Sequence, residues 1–379
     1  MSNTSTSSDV ADGLEGVVVA ETNISEVDGE AGRLIIAGER VETLCEERIF
    51  EALAVRLRSA AASGTPEAEA DAVEAFRERL GQARRDAFDE LTRTPEVRRR
   101  LFDRDVPMNA LRTALSVMES TGDPDEDALR AIGAAPVANA LWLQTRDNQT
   151  PLPPDPDAGH AHDYLRMLLG EAPPPAHADA LESYLMAIAD HGVNASTFTA
   201  RVITSTGADL ISALVGAVGA LKGPLHGGAP GPVLDMLDEI GTPEAADGWI
   251  AAELDAGRRI MGMGHRVYRV RDPRATVFER EVERLFEAKG DDKRLALARA
   301  VEEAAERRLR ERYPDRALRA NVEFYTAVLL EAVGVPRALF TATFAAGRTA
   351  GWAAHVAEQT QHGRLIRPSA RYVGPRPGD

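Results

Sequence analysis

Cysteine occurs once in the 379 residues, at Cys45, so the chain can build neither a disulfide framework nor a thiolate metal cluster. Nothing around Cys45 supplies the basic partner that would make a nucleophile of it. Lysine is almost absent, limited to Lys222, Lys289 and Lys293, so arginine carries nearly all the positive charge. No apolar run reaches the roughly 18 residues of a membrane span. The first 13 residues are polar and acidic, without the apolar core of a signal peptide. The net charge of −16 repels nucleic acid and acidic lipid, so neither is an expected partner. These absences lead to the expectation of a soluble, cytoplasmic chain with an acidic, strongly hydrated surface, as in a salt-adapted or otherwise acidic proteome.

What is present is helix. Apolar residues recur at three- and four-residue spacing over 177–190, 207–221, 245–256, 293–310, 323–333 and 337–358, with Gly and Pro between them. Strand-like alternation is confined to residues 17–20 and 33–37. The proline clusters at 151–156 and 173–175 read as linkers ahead of helices. An all-α protein follows, and at 40.8 kDa with 44% hydrophobic residues it can bury a large core in about two domains.

Three of the eight histidines sit where helix signals break: His191 in Asp190-His191-Gly192, His226 in Leu225-His226-Gly227-Gly228, and His265 in Gly264-His265-Arg266. Glycine beside them lets backbone amides approach a ligand closely. Around His265, residues 258–274 hold six arginines against one acid, a formal +5 in an acidic chain. A small multivalent anion is one reading of that patch, and a solvated loop paired with acidic neighbours is the other. In the stretch 337–359, Gly347 and Gly351 permit close helix contact, and Arg348 among apolar residues needs an anion, either a ligand or an ion-pair partner. His160, His162, His177, His355 and His362 read as surface or structural residues. His160-Ala161-His162 would put two imidazoles on one side of an extended segment, but no third ligand is nearby, so no metal site is expected.

These residues carry a family resemblance. Gly13-Leu14-Glu15-Gly16-Val17-Val18, Asp28-Gly29-Glu30, Pro107-Met108-Asn109-Ala110, Asp190-His191, Leu225-His226-Gly227-Gly228-Ala229, Gly264-His265-Arg266-Val267-Tyr268 with Asp272-Pro273-Arg274, Asn321-Val322-Glu323-Phe324-Tyr325, and Arg367-Pro368 through Tyr372-Val373-Gly374-Pro375 stand in the order seen in citrate synthases. The chain resembles the shorter bacterial and archaeal form, as a divergent member.

The resemblance implies a homodimer of two-domain helical subunits: a large domain at 1–227 and 330–379, and a small domain at 228–329 that closes over the substrates. It implies condensation of acetyl-CoA with oxaloacetate and water to give citrate and CoA, with no permanently bound cofactor. By resemblance, His226 stabilises the enol of the thioester, His265 polarises the ketone, and Glu323 is the base. His191, Arg274, Arg348 and Arg367 would hold oxaloacetate, Arg367 reaching the partner's site. Arg269, Ile260 and Gly262 would contact CoA, with Lys289 and Lys293 as further phosphate candidates.

The chain also departs from the family pattern. Glu323 stands where aspartate is usual, Ala320 and Met261 replace prolines, and Pro230 replaces asparagine at a position where it can open a helix. Residues 37–105 lack the family's aromatic-rich patterns, so helices there are expected to be shortened or rearranged. Two other readings share the same pocket: a 2-methylcitrate synthase using propionyl-CoA, and a weakened paralogue sensing CoA or a dicarboxylate.

Overall fold

A computed structural model describes residues 10–14, 16–227, 230–265, 267–289, 293–375 and 377. Among these, the chain opens with a small antiparallel sheet of β1 (Ser25–Asp28), β2 (Arg33–Ile36) and β3 (Glu39–Arg40), ordered β1-β2-β3 with Ser25 opposite Ile36. The rest is helical: α1 (Val41–Glu47), α2 (Phe50–Ser63), α3 (Ala70–Thr92), α4 (Pro95–Phe102), α5 (Pro107–Ser116), α6 (Pro124–Arg146), α7 (His160–Leu169) and α8 (Pro175–Ile188). There follow α9 (Ala195–Thr204), α10 (Leu210–Leu221), α11 (Pro230–Ile240), α12 (Ala246–Asp255), α13 (Pro273–Lys289), α14 (Lys293–Arg312), α15 (Val322–Ala332) and α16 (Phe340–His362).

Local chemistry sets many of these boundaries. Proline occupies the first turn of α4, α5, α6 and α8, where its missing N–H costs nothing. The side chains of Asp123, Asn194, Asp209 and Asn321 accept backbone N–H groups at the starts of α6, α9, α10 and α15. Pro230 does begin α11. Helix α6 is buried along almost its whole length, Pro136 included, and forms the central rod of the core.

Two expectations fail. Residues 17–20 make no strand, and Val17, Val18 and Val19 are exposed because no neighbouring strand pairs with them. His160 and His162 lie in helix α7, where an i, i+2 pair points to different sides, so they cannot share a cation. His160 is instead stacked on Phe50 at 4.8 Å, and burial holds it well below the usual histidine range.

The region 37–105 holds four helices, α1 to α4, on one core with α6 and α8. Helices α11 to α15 pack largely on one another, while α13 also lies against α1 and α8. The boundary residue Gly228 lies outside the described residues, as do Arg266 and the side chain of Lys289. The long α16 runs past the end of α8. A Cβ on Gly351 would sit 2.0 Å from the carbonyl oxygen of Ala189, and one on Gly347 2.8 Å from Ile188 Cδ1. Only glycine allows that approach, and it brings Arg348 to the end of α8, one turn before His191.

Candidate active site

Each of the three histidines is held by backbone or hydroxyl groups. His265 Nδ1 accepts two N–H groups, from Val267 and Tyr268, both at 3.0 Å. That leaves the proton on Nε2, which lies 4.0 Å from Asp272 Oδ2. His226 has the opposite arrangement. Its Nε2 accepts the Ser196 N–H at 3.3 Å and lies 2.8 Å from Ser196 Oγ, so the proton sits on Nδ1. The Trp352 indole N–H donates to the same hydroxyl at 3.2 Å. Burial, with Arg274 adding to it at His265 and Arg348 at His226, lowers both imidazoles to about 4. Near pH 7 both are therefore neutral hydrogen-bond donors of fixed tautomer.

His191 follows α8, its Nε2 3.2 Å from the Tyr268 hydroxyl and its ring 5.6 Å from that of His265. Burial and Arg274 push it well below the usual range. Beneath it lies a buried network. The guanidinium of Arg201 donates to His355 Nδ1 and pairs with Glu358, and His355 Nε2 in turn meets both oxygens of Asp190, at 2.8 and 3.0 Å.

The N-terminal hairpin reaches both loops. Ser25 Oγ donates to Asp190 Oδ1 at 3.3 Å and accepts the Gly192 N–H at 2.9 Å. At the β1–β2 turn, Gly29 accepts the Arg269 N–H at 2.9 Å, and a Cβ on Gly29 would lie 2.3 Å from the Val267 carbonyl oxygen. The turn must carry glycine for the 265–271 loop to dock. Replacing Ser25 with alanine leaves the Gly192 amide without its acceptor. Losing a part-buried hydrogen bond worth about 1 kcal/mol then predicts a melting temperature lower by roughly 2 °C, as a thermal melt would show.

Glu323 occupies the first turn of α15. Its neighbour Asn321 caps that helix and ties it to the His265 loop: Asn321 Nδ2 donates to the Gly264 carbonyl, and the Asn321 N–H to the Gly262 carbonyl, each at 3.0 Å. Burial raises the Glu323 carboxyl to about 7 against the pull of Arg274, and no cation lies within 4.0 Å of it among the described residues.

The three basic candidates differ. Arg274 is buried and already bidentate to Asp272, Nε–Oδ1 3.0 Å and Nη2–Oδ2 2.7 Å. Donor atoms of His191, His265 and Asp272 lie within 4.8 Å of one another, but Asp272 commits both oxygens to Arg274 and His265 commits Nδ1 to backbone. Arg348 is buried with its Nε on the Ile188 carbonyl and its guanidinium over Phe344 at 4.7 Å. Among the described residues it has no carboxylate within 4.0 Å, unlike the equally buried Arg84, which pairs with Asp163 at 2.9 Å. A structural ion pair therefore does not account for Arg348. Arg367 is exposed in the segment after α16, whose Ile366 N–H is anchored on Ser205 Oγ at 3.0 Å; among the described residues it joins none of these contacts.

Of the remaining candidates, Arg269 is exposed, whereas Ile260 is packed in the core. Gly262, at φ 74°, has Phe324 where a Cβ would stand, 2.9 Å away, so its glycine serves packing. Lys293 is exposed at the start of α14. Cys45 is buried, which drives its thiol far above the reactive range. Ser25, Asp190, Ser196, Tyr268, Asp272, Trp352 and His355 complete the site. Helical periodicity gave no sign of them: all but Asp272 act on a residue distant in sequence, and Asp272 acts on Arg274 and His265 in a loop.

Comparison with known proteins gives the family. The family model "Citrate synthase, C-terminal domain" matches residues 13–369. The citrate synthase of Haloferax volcanii is 39% identical, over 96% of this chain and 95% of that one. The 2-methylcitrate synthase of Mycobacterium tuberculosis is 36% identical, over 97% of this chain and 91% of its own. The Thermoplasma acidophilum citrate synthase, solved as a ternary complex with carboxymethyl coenzyme A and oxaloacetate, superposes with a TM-score of 0.83 at 27% identity, over 97% of each chain.

Proposed function

The chain belongs to the citrate synthase family, and from that premise we propose which of its residues perform the reaction. The enzyme is a citrate synthase-type acyltransferase: acetyl-CoA, oxaloacetate and water give citrate and CoA. No permanently bound cofactor is needed, and acyl-CoA enters as substrate.

Glu323, with its carboxyl near 7, takes a proton from the acetyl methyl group. The His226 Nδ1–H donates to the thioester oxygen as negative charge develops there, and the His265 Nε2–H donates to the ketone oxygen of oxaloacetate. The enol carbon then attacks the ketone carbon, the ketone oxygen takes up a proton, and water cleaves the resulting citryl thioester to release CoA. One observation carries this assignment: two neutral imidazoles whose tautomers are locked by backbone N–H groups, each leaving a donor for a developing oxyanion. An imidazolium would titrate at neutral pH; these do not.

Arg348, with no carboxylate within 4.0 Å among the described residues, supplies the fork for one oxaloacetate carboxylate, and Arg274 and His191 line the same space. In a homodimer, the exposed segment carrying Arg367 would cover the partner's site. The helices over 228–329 would close over bound substrate, shielding the enol from water. Arg269 is the candidate for a CoA phosphate.

Thiol release with oxaloacetate tests the reading. Acetyl-CoA is expected to give a kcat/KM about 10–200 times that with propionyl-CoA, the range one methyl group permits. A preference for propionyl-CoA would instead make the enzyme a 2-methylcitrate synthase. No helix among the described residues is long and apolar enough to cross a membrane.

A further inference from the structure

A second basic concavity lies apart from every residue assigned above. The end of α4, its connection to α5 and the end of α6 enclose about 540 Å³, within the range of nucleotide-sized ligands. Arg98, Arg99, Arg104 and Arg146 line it. We propose that this cavity is a non-catalytic binding site for a small polyanion carrying two or more phosphate groups.

Three of the arginines are held in place by groups other than acids. Arg98 donates to the Gln149 carbonyl at 3.4 Å, and Arg104 donates to the carbonyls of Leu101 and Arg100 at 3.4 and 3.3 Å. The Arg146 guanidinium lies over the Trp142 ring at 5.4 Å, and that indole N–H is fixed on the Arg104 carbonyl at 2.7 Å. Among the described residues none of the four has a carboxylate within 4.0 Å, although their neighbour Arg100 pairs with Glu96 at 2.6 Å. The helix dipole favours a cation in the last turn of α4 or of α6. It does not explain four guanidinium groups converging on one space in a chain of net charge −16.

The wall also defines the ligand class. Thr145 shares the lining, and its Oγ1 has no hydrogen-bond partner among the described residues. Asp103 and Asp105 share the lining, reducing the formal charge to +2, and their oxygens can only accept. A ligand with phosphates on one side and hydroxyl donors on the other, such as a nucleoside or sugar polyphosphate, meets both demands. Planar guanidinium forks match phosphate oxygens bidentately, several at a time.

Calorimetric titration of the full-length protein with inorganic tripolyphosphate and with ADP tests the site. A comparison with Arg98→Ala/Arg146→Ala, and with Arg99→Ala as a milder change at an exposed residue, separates binding here from binding at the active site. The expected result is at least tenfold weaker binding of both probes in the double variant, about threefold in the single variant, and unchanged turnover in the absence of probe. Tighter binding of ADP than of tripolyphosphate assigns Asp103 and Asp105 to the hydroxyl groups; equal affinity leaves phosphate as the whole determinant. Equal affinities in wild type and both variants, or no binding at millimolar probe, would overturn the proposal. Because the readout is binding, this result is independent of whether the citrate synthase residue assignment holds.

Discussion

Glu323→Gln is expected to lower kcat by about a thousandfold or more while making the protein more stable above pH 7. Both effects have one cause. Burial lifts this carboxyl from an ordinary 4.5 to about 7 in the folded chain, so the native state holds a proton that the unfolded chain has already released. The sign follows from linkage: between pH 4.5 and 7 the folded state binds more protons, so this group's contribution is fully present below 4.5 and is lost as pH rises through 7. Charging it at pH 8 then costs about 3 kcal/mol. Glutamine carries no charge, so melts of the variant and the wild type should nearly coincide at pH 5 and separate at pH 8, the variant melting higher. In the wild type, kcat/KM for acetyl-CoA should rise with pH and reach half its maximum near 7. The two histidines near 4 contribute no limb in that window. A profile flat from pH 5.5 to 8.5, or a Gln variant with wild-type turnover, would remove Glu323 as the base. Glu323→Asp separates reach from chemistry: higher turnover would mean that the extra methylene displaces the carboxylate from its best position.

Arg348→Met should have an equally large effect, through binding. The guanidinium is buried with no carboxylate within 4.0 Å among the described residues, and burial, partly offset by Asp190, lowers it to about 10. It is a charge the fold keeps at a cost of about 1–3 kcal/mol, to be recovered when a ligand carboxylate arrives. Methionine of similar length removes both the cost and the binding fork. The KM for oxaloacetate should rise about a hundredfold or more, the KM for acetyl-CoA should change little, and the melting temperature should rise by a few degrees. A fall in melting temperature with oxaloacetate KM intact would make Arg348 a structural residue. Arg84→Met is the control: it takes from buried Asp163 one of its two arginine partners, leaving Arg166 at 2.8 Å, and should lower the stability by about 1–3 kcal/mol.

Much of this protein is written locally along the chain. Proline at N1 and the caps Asn194, Asp209 and Asn321 act on neighbours two or three residues away, so the helices they open can be read directly. The exposed valines at 17–19 show the converse, since alternation makes a strand only when another strand is there to pair. The three histidines, Glu323 and the basic residues near them were legible because ordered blocks, each short and local, carry the family resemblance.

Residue order along the chain is enough to specify an all-α enzyme and the identity of its chemical groups. Their protonation and pairing come from the folded arrangement. Whether His226 keeps its proton on Nδ1 depends on the amide of Ser196, 30 positions away, and whether Arg348 is free depends on which acids fold close to it. Ser25 meets Asp190 across 165 residues, and the four guanidinium groups between α4 and α6 converge only once α6 is buried. Proton position, desolvation and charge pairing are set by atoms within a few ångströms in space, whatever their separation along the chain.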